Sequence, residues 1–335
     1  MLSKIIEEED IDTAKRLIYN ANHIVVTAHI SPDGDAVGST LGLYHFLTKI
    51  GKDAVVILPN RFPAFLNWMP GSDKIVIMEE KTAETVSLMK AADLVFCVDY
   101  NSIDRINGLK PLMEQSKAKK IMIDHHPYPG DFCDVTISYP EISSASELVF
   151  RFICRMGYFQ EITLEGAECI YTGMMTDTGG FTYNSNSAEI YSIIYELINK
   201  GIDKDAIYRR VFNTYSADRM KLMGYCLSKM VVMPEEHTAY IVLTQEEKRR
   251  FNYKVGDTEG FVNMPLQIEG ICKSVFVRED TDKVKLSFRS QGDVPVNTWA
   301  AEFGGGGHLN AAGGESYLSL EETIKKLVEI IKRDK

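Results

Sequence analysis

His29, Asp33 and Asp35 crowd three potential metal ligands into seven residues, with Gly34 between the acids and Pro32 just ahead of them. An imidazole beside two carboxylates suits a divalent transition metal better than calcium, which prefers oxygen alone. An EF-hand is excluded, because its later ligand positions fall on Val37 and the apolar stretch beyond it. Gly34 lets the backbone fold tightly between the acids. Pro32 stiffens the turn and biases Ser31 toward an extended conformation. Read alone, the stretch fits equally a polar loop in which Asp35 caps the following helix.

Three further groups share this chemistry: Asp99, the run Asp124-His125-His126, and Asp177 beside Gly179 and Gly180. His29, Asp33, Asp35, Asp99, His125 and Asp177 together supply two imidazoles and four carboxylates, too many for one tetrahedral ion. They suit two ions roughly 3.5–4 Å apart that share bridging carboxylates, the arrangement used for phosphoryl-ester hydrolysis. About −4 from the acids would balance about +4 from two dications. A hydroxide bridging the ions would be the nucleophile.

The apolar pattern says which elements carry these groups. Near-continuous apolar runs at 23–28, 53–58, 74–78, 92–99 and 120–124 read as strands, with helical stretches between most of them. That alternation predicts a mostly parallel sheet covered by helices on both faces. The first, fourth and fifth strands run into His29, Asp99 and Asp124-His125-His126, so the groups would meet along the carboxyl edge of the sheet. Helices are expected over 144–158, 163–175, 187–200, 203–212 and 216–229. From Met230 short strands follow at 230–233, 238–243, 270–278 and 283–289, then a helical piece at 295–303, Gly304–His308 and a helix at 320–331. The expected fold is α/β: a mostly parallel sheet domain over 1–190, a helical linker over 191–229 and a smaller mixed α+β domain over 230–335.

With 335 residues, 45% of them hydrophobic, the chain can bury two cores, and no apolar run approaches the roughly 20 residues that span a membrane. The acidic start, Met1 to Asp10, lacks a signal peptide's apolar core. The six cysteines are scattered without a C-x-x-C pair, so a cytoplasmic location with reduced thiols is expected. A net charge of −10 argues against broad binding of long nucleic acid, which wants a basic face. It leaves room for a small anionic substrate, because bound metal ions reverse the local charge.

Taken in order, His29-x-x-x-Asp33-x-Asp35, Val98-Asp99, Asp124-His125-His126 and Thr176-Asp177-Thr178-Gly179 resemble the four motifs of the DHH phosphoesterase superfamily. Ser287-Phe288-Arg289-Ser290 and Gly304–His308 resemble those of its associated C-terminal domain, so the resemblance spans nearly the whole chain. The length and the stretch Asp257–Gly260 are similar to the bacterial nanoRNase and 3′-phosphoadenosine-5′-phosphate phosphatase branch. Gly304–His308 counts against the pyrophosphatase branch.

The resemblance implies two divalent ions, Mn²⁺ foremost. His29 and Asp33 would hold one, Asp35 and His125 the other, with Asp99 bridging and Asp177 completing the set. It makes Asp99, Asp124 and His126 catalytic: His126 at the scissile phosphate, and Asp124 orienting a histidine. In the C-terminal domain Arg289 would grip a phosphate bidentately. Gly305, Gly306 and Gly307 would let backbone N–H groups approach a phosphate or base, with His308 adding a hydrogen bond. Arg105 offers a guanidinium near the metals, unless it pairs with Asp104 on a helix surface. Ser144-x-x-Glu147, with Ser143 ahead of it, reads as a capping box whose amides could also face substrate. Phe181, Tyr183 and Phe261 are candidates for stacking on a base or for the core. His23, His45 and His237 lack acids at ligand spacing.

The implied activity is metal-dependent hydrolysis of short RNA or DNA oligonucleotides or small nucleotides such as 3′-phosphoadenosine-5′-phosphate. No membrane partner is expected, and a homodimer is left open. Exopolyphosphatase, cyclic-dinucleotide or pApA phosphodiesterase, and a non-catalytic nucleotide sensor are the alternatives. A cleft between two domains would favour substrates of a few residues.

Overall fold

Six apolar segments form one parallel sheet: β1 (His23–Thr27), β2 (Asp53–Leu58), β3 (Val76–Ile77), β4 (Leu94–Val98), β5 (Lys119–Asp124) and β6 (Val135–Ser138). The computed structural model describes residues 3–334. Met1, Leu2 and Lys335, at the outer ends of the ranges 1–190 and 230–335, lie outside the described residues. The chain divides into two compact units, one up to Thr214 and one from Tyr215. The division falls inside the range 191–229, between the helices Lys204–Phe212 and Ala217–Ser228.

In the first unit the strands alternate with α1 (Glu8–Asn20), α2 (Gly34–Lys49), α3 (Thr82–Ala91), α4 (Lys110–Gln115), α5 (Ala145–Arg155) and α6 (Leu164–Asp177), and α7 (Ala188–Asn199) and α8 (Lys204–Phe212) complete it. The strands are apolar on both sides because both sides are covered. Ile24, Val26, Phe96 and Val98 pack with Leu41 of α2, Val149 of α5 and Ile170 of α6. Val25, Val95, Cys97 and Met122 pack on the other face with Met89 of α3 and Met113 of α4.

The strand order is β3-β2-β1-β4-β5-β6. The chain therefore moves outward from β1 to β3, then returns to β4 on the other side of β1. At that reversal the connections leave in opposite directions and open a crevice beyond the carboxyl ends. The register sets Thr27 beside Cys97, and Val98 beside Ile123, so β1, β4 and β5 end side by side.

Helices α2 and α6 approach closely because glycines line their contact. A Cβ on Gly38 would lie 2.7 Å from the Cys169 carbonyl oxygen and from Gly173 N, and one on Gly34 would lie 2.3 Å from Thr176 Oγ1. Gly34 is thus the first residue of α2 and a packing glycine, not the pivot of a turn between the acids. The expectation for Ser31 is also corrected. Its φ is 55°, in the left-handed region rather than extended, and its N–H donates to Asn60 Oδ1 at 2.7 Å.

The second unit begins with α9 (Ala217–Ser228) and holds α10 (Gln245–Arg250), α11 (Asn297–Ala301) and α12 (Leu320–Arg333). Its strands are β7 (Val231–Met233), β8 (Thr238–Leu243), β9 (Lys273–Glu279), β10 (Val284–Ser290), β11 (Gly306–Gly307) and β12 (Ala311–Ser316). They form a mixed sheet ordered β11-β12-β10-β9-β8-β7, in which only β8 and β9 pair parallel among the described residues. Val277, Leu286 and Phe288 meet Trp299 and Leu327 in its core. Among the described residues no helix is long and apolar enough to cross a membrane.

Candidate metal centre

The loop after β1 is held at its start and at its end. Ile30 N–H donates to the Arg105 carbonyl at 2.7 Å, and Asp33 Oδ1 accepts from Asp35 N and Ala36 N at 3.0 Å each. Asp33, not Asp35, is therefore the N-cap of α2, worth about 1 kcal/mol to the helix. Asp35 is buried instead, 1% exposed. Its carboxylate takes the first two amides of α5, from Ala145 N at 2.7 Å and Ser146 N at 2.9 Å. The positive end of a helix is thus spent on a metal-type ligand, and these amides do not face substrate.

Asp99 follows β4 with φ 62°. The left-handed conformation turns its carboxylate into the crevice, where Oδ2 lies 3.3 Å from His29 Nε2 and Oδ1 lies 3.5 Å from His125 Nε2. His29 Nδ1–H donates to the Ile30 carbonyl at 2.8 Å and His125 Nδ1–H to that of Ile142 at 3.2 Å. A carbonyl can only accept, so each neutral ring carries its lone pair on Nε2, facing a carboxylate. Two acceptors that face each other call for a cation between them.

Two triads result. Single ligand atoms of His29, Asp33 and Asp99 lie within 4.8 Å of one another, as do those of Asp35, His125 and Asp177. His125 Nε2 is 3.8 Å from Asp35 Oδ2 and 3.6 Å from Asp177 Oδ2. Asp177 arrives differently from the others. It is the last residue of α6, not a loop residue beyond it, and the contact of α6 with α2 brings it to the crevice. A carboxylate at a helix C-terminus opposes the macrodipole, at a cost of roughly 0.3–1 kcal/mol.

Charge balance follows from burial. Burial and the neighbouring Asp99 and Asp177 push Asp35 well above the carboxylate range. Burial would raise Asp99 too, but the facing imidazoles of His125 and His29 outweigh it and hold Asp99 well below that range. Burial would lower both imidazoles, yet the facing Asp99 and the other surrounding carboxylates raise His29, and raise His125 well above 6.5. Asp99 Oδ1 is buried and accepts no hydrogen bond. A buried, unsatisfied carboxylate oxygen between two triads fits a pair of divalent cations.

A pH dependence follows. In the metal-free protein the stability contributed by the raised histidines is present below pH 6.5 and is lost as pH rises through their folded values. A metal must displace those protons, so its apparent affinity rises with pH, about tenfold per unit for each proton released. Thermal melts from about pH 6 to 9 should show Mn²⁺ stabilising the protein progressively more, while the metal-free melt declines. A stabilisation by Mn²⁺ that does not change with pH contradicts this.

Asp124 is fully buried and orients His126: Oδ1 accepts from ring Nδ1–H at 2.8 Å, Oδ2 from the His126 amide at 3.1 Å. The Arg105 charge lies close enough to lower His29, while Asp104 pairs with Lys110 rather than with Arg105. Ser144 caps α5, but Glu147 reaches Ser143 and Arg151 instead of the Ser144 amide, so the box is half formed. Phe181 packs on Tyr171, the Tyr183 ring lies over Gly179, and Phe261 is buried. His23 meets Asp53 on the surface, and His45 and His237 bond to the carbonyls of Pro70 and Gly270. The sequence reading did not anticipate Asn60; only its position just beyond a strand end could have marked it.

In the second unit the glycine run is an edge strand. Gly306 pairs with Gly313 and Gly307 with Ala312, and a turn follows in which His308 N–H donates to the Ala311 carbonyl at 2.8 Å. A Cβ on Gly305 would lie 1.9 Å from the Gly313 carbonyl oxygen, whereas one on Gly306 would meet nothing. On β10, Arg289 pairs with Ala311, which brings it to the end of the sheet that carries this turn. Arg289 Nη1 donates to the Phe288 carbonyl at 3.0 Å.

The parallel sheet, the crevice at its reversal and the carboxylate–imidazole array define a hydrolase that acts on phosphoesters. Residues 23–174 match the DHH family N-terminal domain, and residues 237–333 the DHHA1 domain. The chain is 55% identical to an exopolyphosphatase-related protein of Bacteroides fragilis whose crystal structure it matches with a TM-score of 0.95, over 99% of this chain and 98% of that one. It is 28% identical to the bifunctional oligoribonuclease and PAP phosphatase NrnA of Thermus thermophilus, over 93% of this chain and 90% of that protein. It is 25% identical to NrnA of Bacillus subtilis, over 92% and 93% of the two chains. RecJ of Thermus thermophilus, crystallised with Mn²⁺, shares the fold at a TM-score of 0.56 and 16% identity, over 97% of this chain and 54% of RecJ. The chain belongs to the DHH family of phosphoesterases and carries its DHHA1 domain.

Proposed function

We propose that the protein hydrolyses short oligoribonucleotides to mononucleotides, and 3′-phosphoadenosine-5′-phosphate to adenosine 5′-monophosphate, with two divalent ions, Mn²⁺ foremost. The observation that carries this reading is Asp99, whose two carboxylate oxygens face His29 on one side and His125 on the other. His29 and Asp33 would hold one ion and Asp35, His125 and Asp177 the other, with Asp99 shared. When bound, the ions supply the acidity that ionises water at neutral pH and the charge that offsets the phosphoryl oxygens. Asp124 fixes the His126 ring with the proton on Nδ1, so that Nε2 can accept a proton, or donate one when the ring is charged, at the phosphate. Arg105 adds positive charge beside His29. The names of the Thermus thermophilus and Bacillus subtilis relatives support the substrate class.

In the DHHA1 domain Arg289 and the Gly306–His308 turn would bind a phosphate or base of the substrate. Because nothing lies near a Cβ at position 306, Gly306→Ala should fold normally and yet raise KM about tenfold by keeping substrate off the backbone. Gly305→Ala should instead disrupt the edge strand and lower the melting temperature. Equal melting temperatures and equal KM values in both variants would reject the assignment.

A second reading, hydrolysis of polyphosphate, draws on the exopolyphosphatase-related relative at 55% identity. Initial rates with Mn²⁺ on a diribonucleotide, 3′-phosphoadenosine-5′-phosphate and polyphosphate separate the two. The proposal expects the nucleotides to be faster by at least about tenfold; faster phosphate release from polyphosphate would reverse the order of the readings.

A further inference from the structure

The segment after His126, Pro127-Tyr128-Pro129-Gly130, contains the most exposed large aromatic residue among those described. Tyr128 is 91% exposed, and its φ is 60°. A left-handed backbone is costly for a bulky residue. The preference against it is stronger still before a proline, which pushes its predecessor toward extended geometry. Such a conformation persists only where surrounding structure imposes it. Here Asn101 imposes it: its Nδ2 donates to the Pro127 carbonyl at 2.6 Å, and its carbonyl accepts from Gly130 N at 2.7 Å.

Asn101 stands two residues beyond Asp99, so the strand end that presents the shared carboxylate also clamps this segment. The clamp holds the backbone under a ring that stands almost wholly in solvent. Tyr128 is two peptide links from His126, which limits their Cα separation to about 7.6 Å. An exposed aromatic ring on a clamped backbone beside a phosphoester site matches the face of a nucleobase, the one flat apolar surface a nucleotide offers.

We propose that Tyr128 is a substrate-contacting residue that stacks on a nucleobase of the nucleotide whose phosphate lies at His126. This rests on the nucleotide reading of the site, and it adds a source of preference for base-bearing substrates over polyphosphate. Tyr128 contributes through its ring face, so Phe can replace it and Ala cannot.

The test compares diadenylate with the same dinucleotide lacking both bases, in wild type, Tyr128→Ala and Tyr128→Phe. The ratio of kcat/KM for the two substrates should fall about tenfold in Tyr128→Ala, through KM, and be retained in Tyr128→Phe. An unchanged ratio in Tyr128→Ala overturns the proposal. A binding measurement makes the result independent of turnover: Tyr128→Trp, titrated with adenosine 5′-monophosphate and separately with ribose 5-phosphate. Emission should be quenched by the nucleotide alone. Quenching by neither ligand, or equally by both, overturns the stacking assignment. If the wild type hydrolyses no dinucleotide yet Tyr128→Trp is quenched by the nucleotide alone, the substrate reading fails while stacking stands.

Discussion

Asp99→Asn is expected to slow hydrolysis of a dinucleotide by about a thousandfold, or ~4 kcal/mol of barrier, with the fold intact. The substitution suits the question because asparagine, like aspartate, tolerates the left-handed backbone that position 99 requires. The amide keeps the size of the carboxylate, so no cavity forms. What is lost is one negative charge and one of the two acceptor oxygens, which face His29 at 3.3 Å and His125 at 3.5 Å. On the proposed two-ion site, Asp99 would be shared, and halving it would weaken both sides. Mn²⁺ should therefore no longer raise the melting temperature as it does in wild type. The metal-free variant should also lose the part of its stability that depends on the raised histidines, below pH 6.5, where the carboxylate pairs with charged imidazoles. Activity within tenfold of wild type, with normal Mn²⁺ stabilisation, would remove Asp99 from the centre of the mechanism.

The candidate site was legible because the chemistry sits where an apolar run ends. β1, β4 and β5 are bounded by His29, Asp99 and Asp124-His125, and the parallel topology alone sends those ends to one edge. Asp177 was read as a candidate ligand but not as a helix residue, since nothing in Thr176-Asp177-Thr178 distinguishes the last turn of α6 from the loop beyond it. Both Asp33 and Asp35 were read as candidate ligands, with Asp35 as the cap in the alternative reading; the cap is in fact Asp33. Either acid suits a cap, and only the arrival of α5, whose amides take Asp35, decides between them. β6 was missed because Val135–Ser138 is short and follows a polar loop. β12 was missed because Ala311–Ser316 has almost no side chains with which to show an alternating pattern. Its small residues exist to let the Gly305–Gly307 backbone approach, a constraint that resides in the pairing rather than in either segment.

The same logic makes Gly38 the glycine whose replacement should hurt most. On an exposed helix, Gly→Ala would gain about 1 kcal/mol of helix propensity. At position 38 the new methyl would lie 2.7 Å from the Cys169 carbonyl oxygen and 2.7–2.8 Å from Gly173 N and Cα, and all three are backbone atoms. No rotamer change can relieve that contact, so α2 and α6 must move apart. Overpacking of this kind costs about 3 kcal/mol at the upper end of its usual range, which leaves a net loss of about 2 kcal/mol. For a unit of this size the loss corresponds to a drop of roughly 4–8 °C in melting temperature. The catalytic loss should exceed the loss of stability. The start of α2 carries Asp33 and Asp35 and the end of α6 carries Asp177, so parting the helices separates ligands of one triad. A displacement of about 1 Å is enough to cost on the order of a hundredfold in rate. Gly51→Ala is the control, since Gly51 has φ 82° and nothing within 4 Å of a Cβ. It should strain its own turn and lower the melting temperature while leaving the rate per folded molecule intact. If Gly38→Ala instead melts and turns over like wild type, helix proximity does not set the geometry of the metal centre.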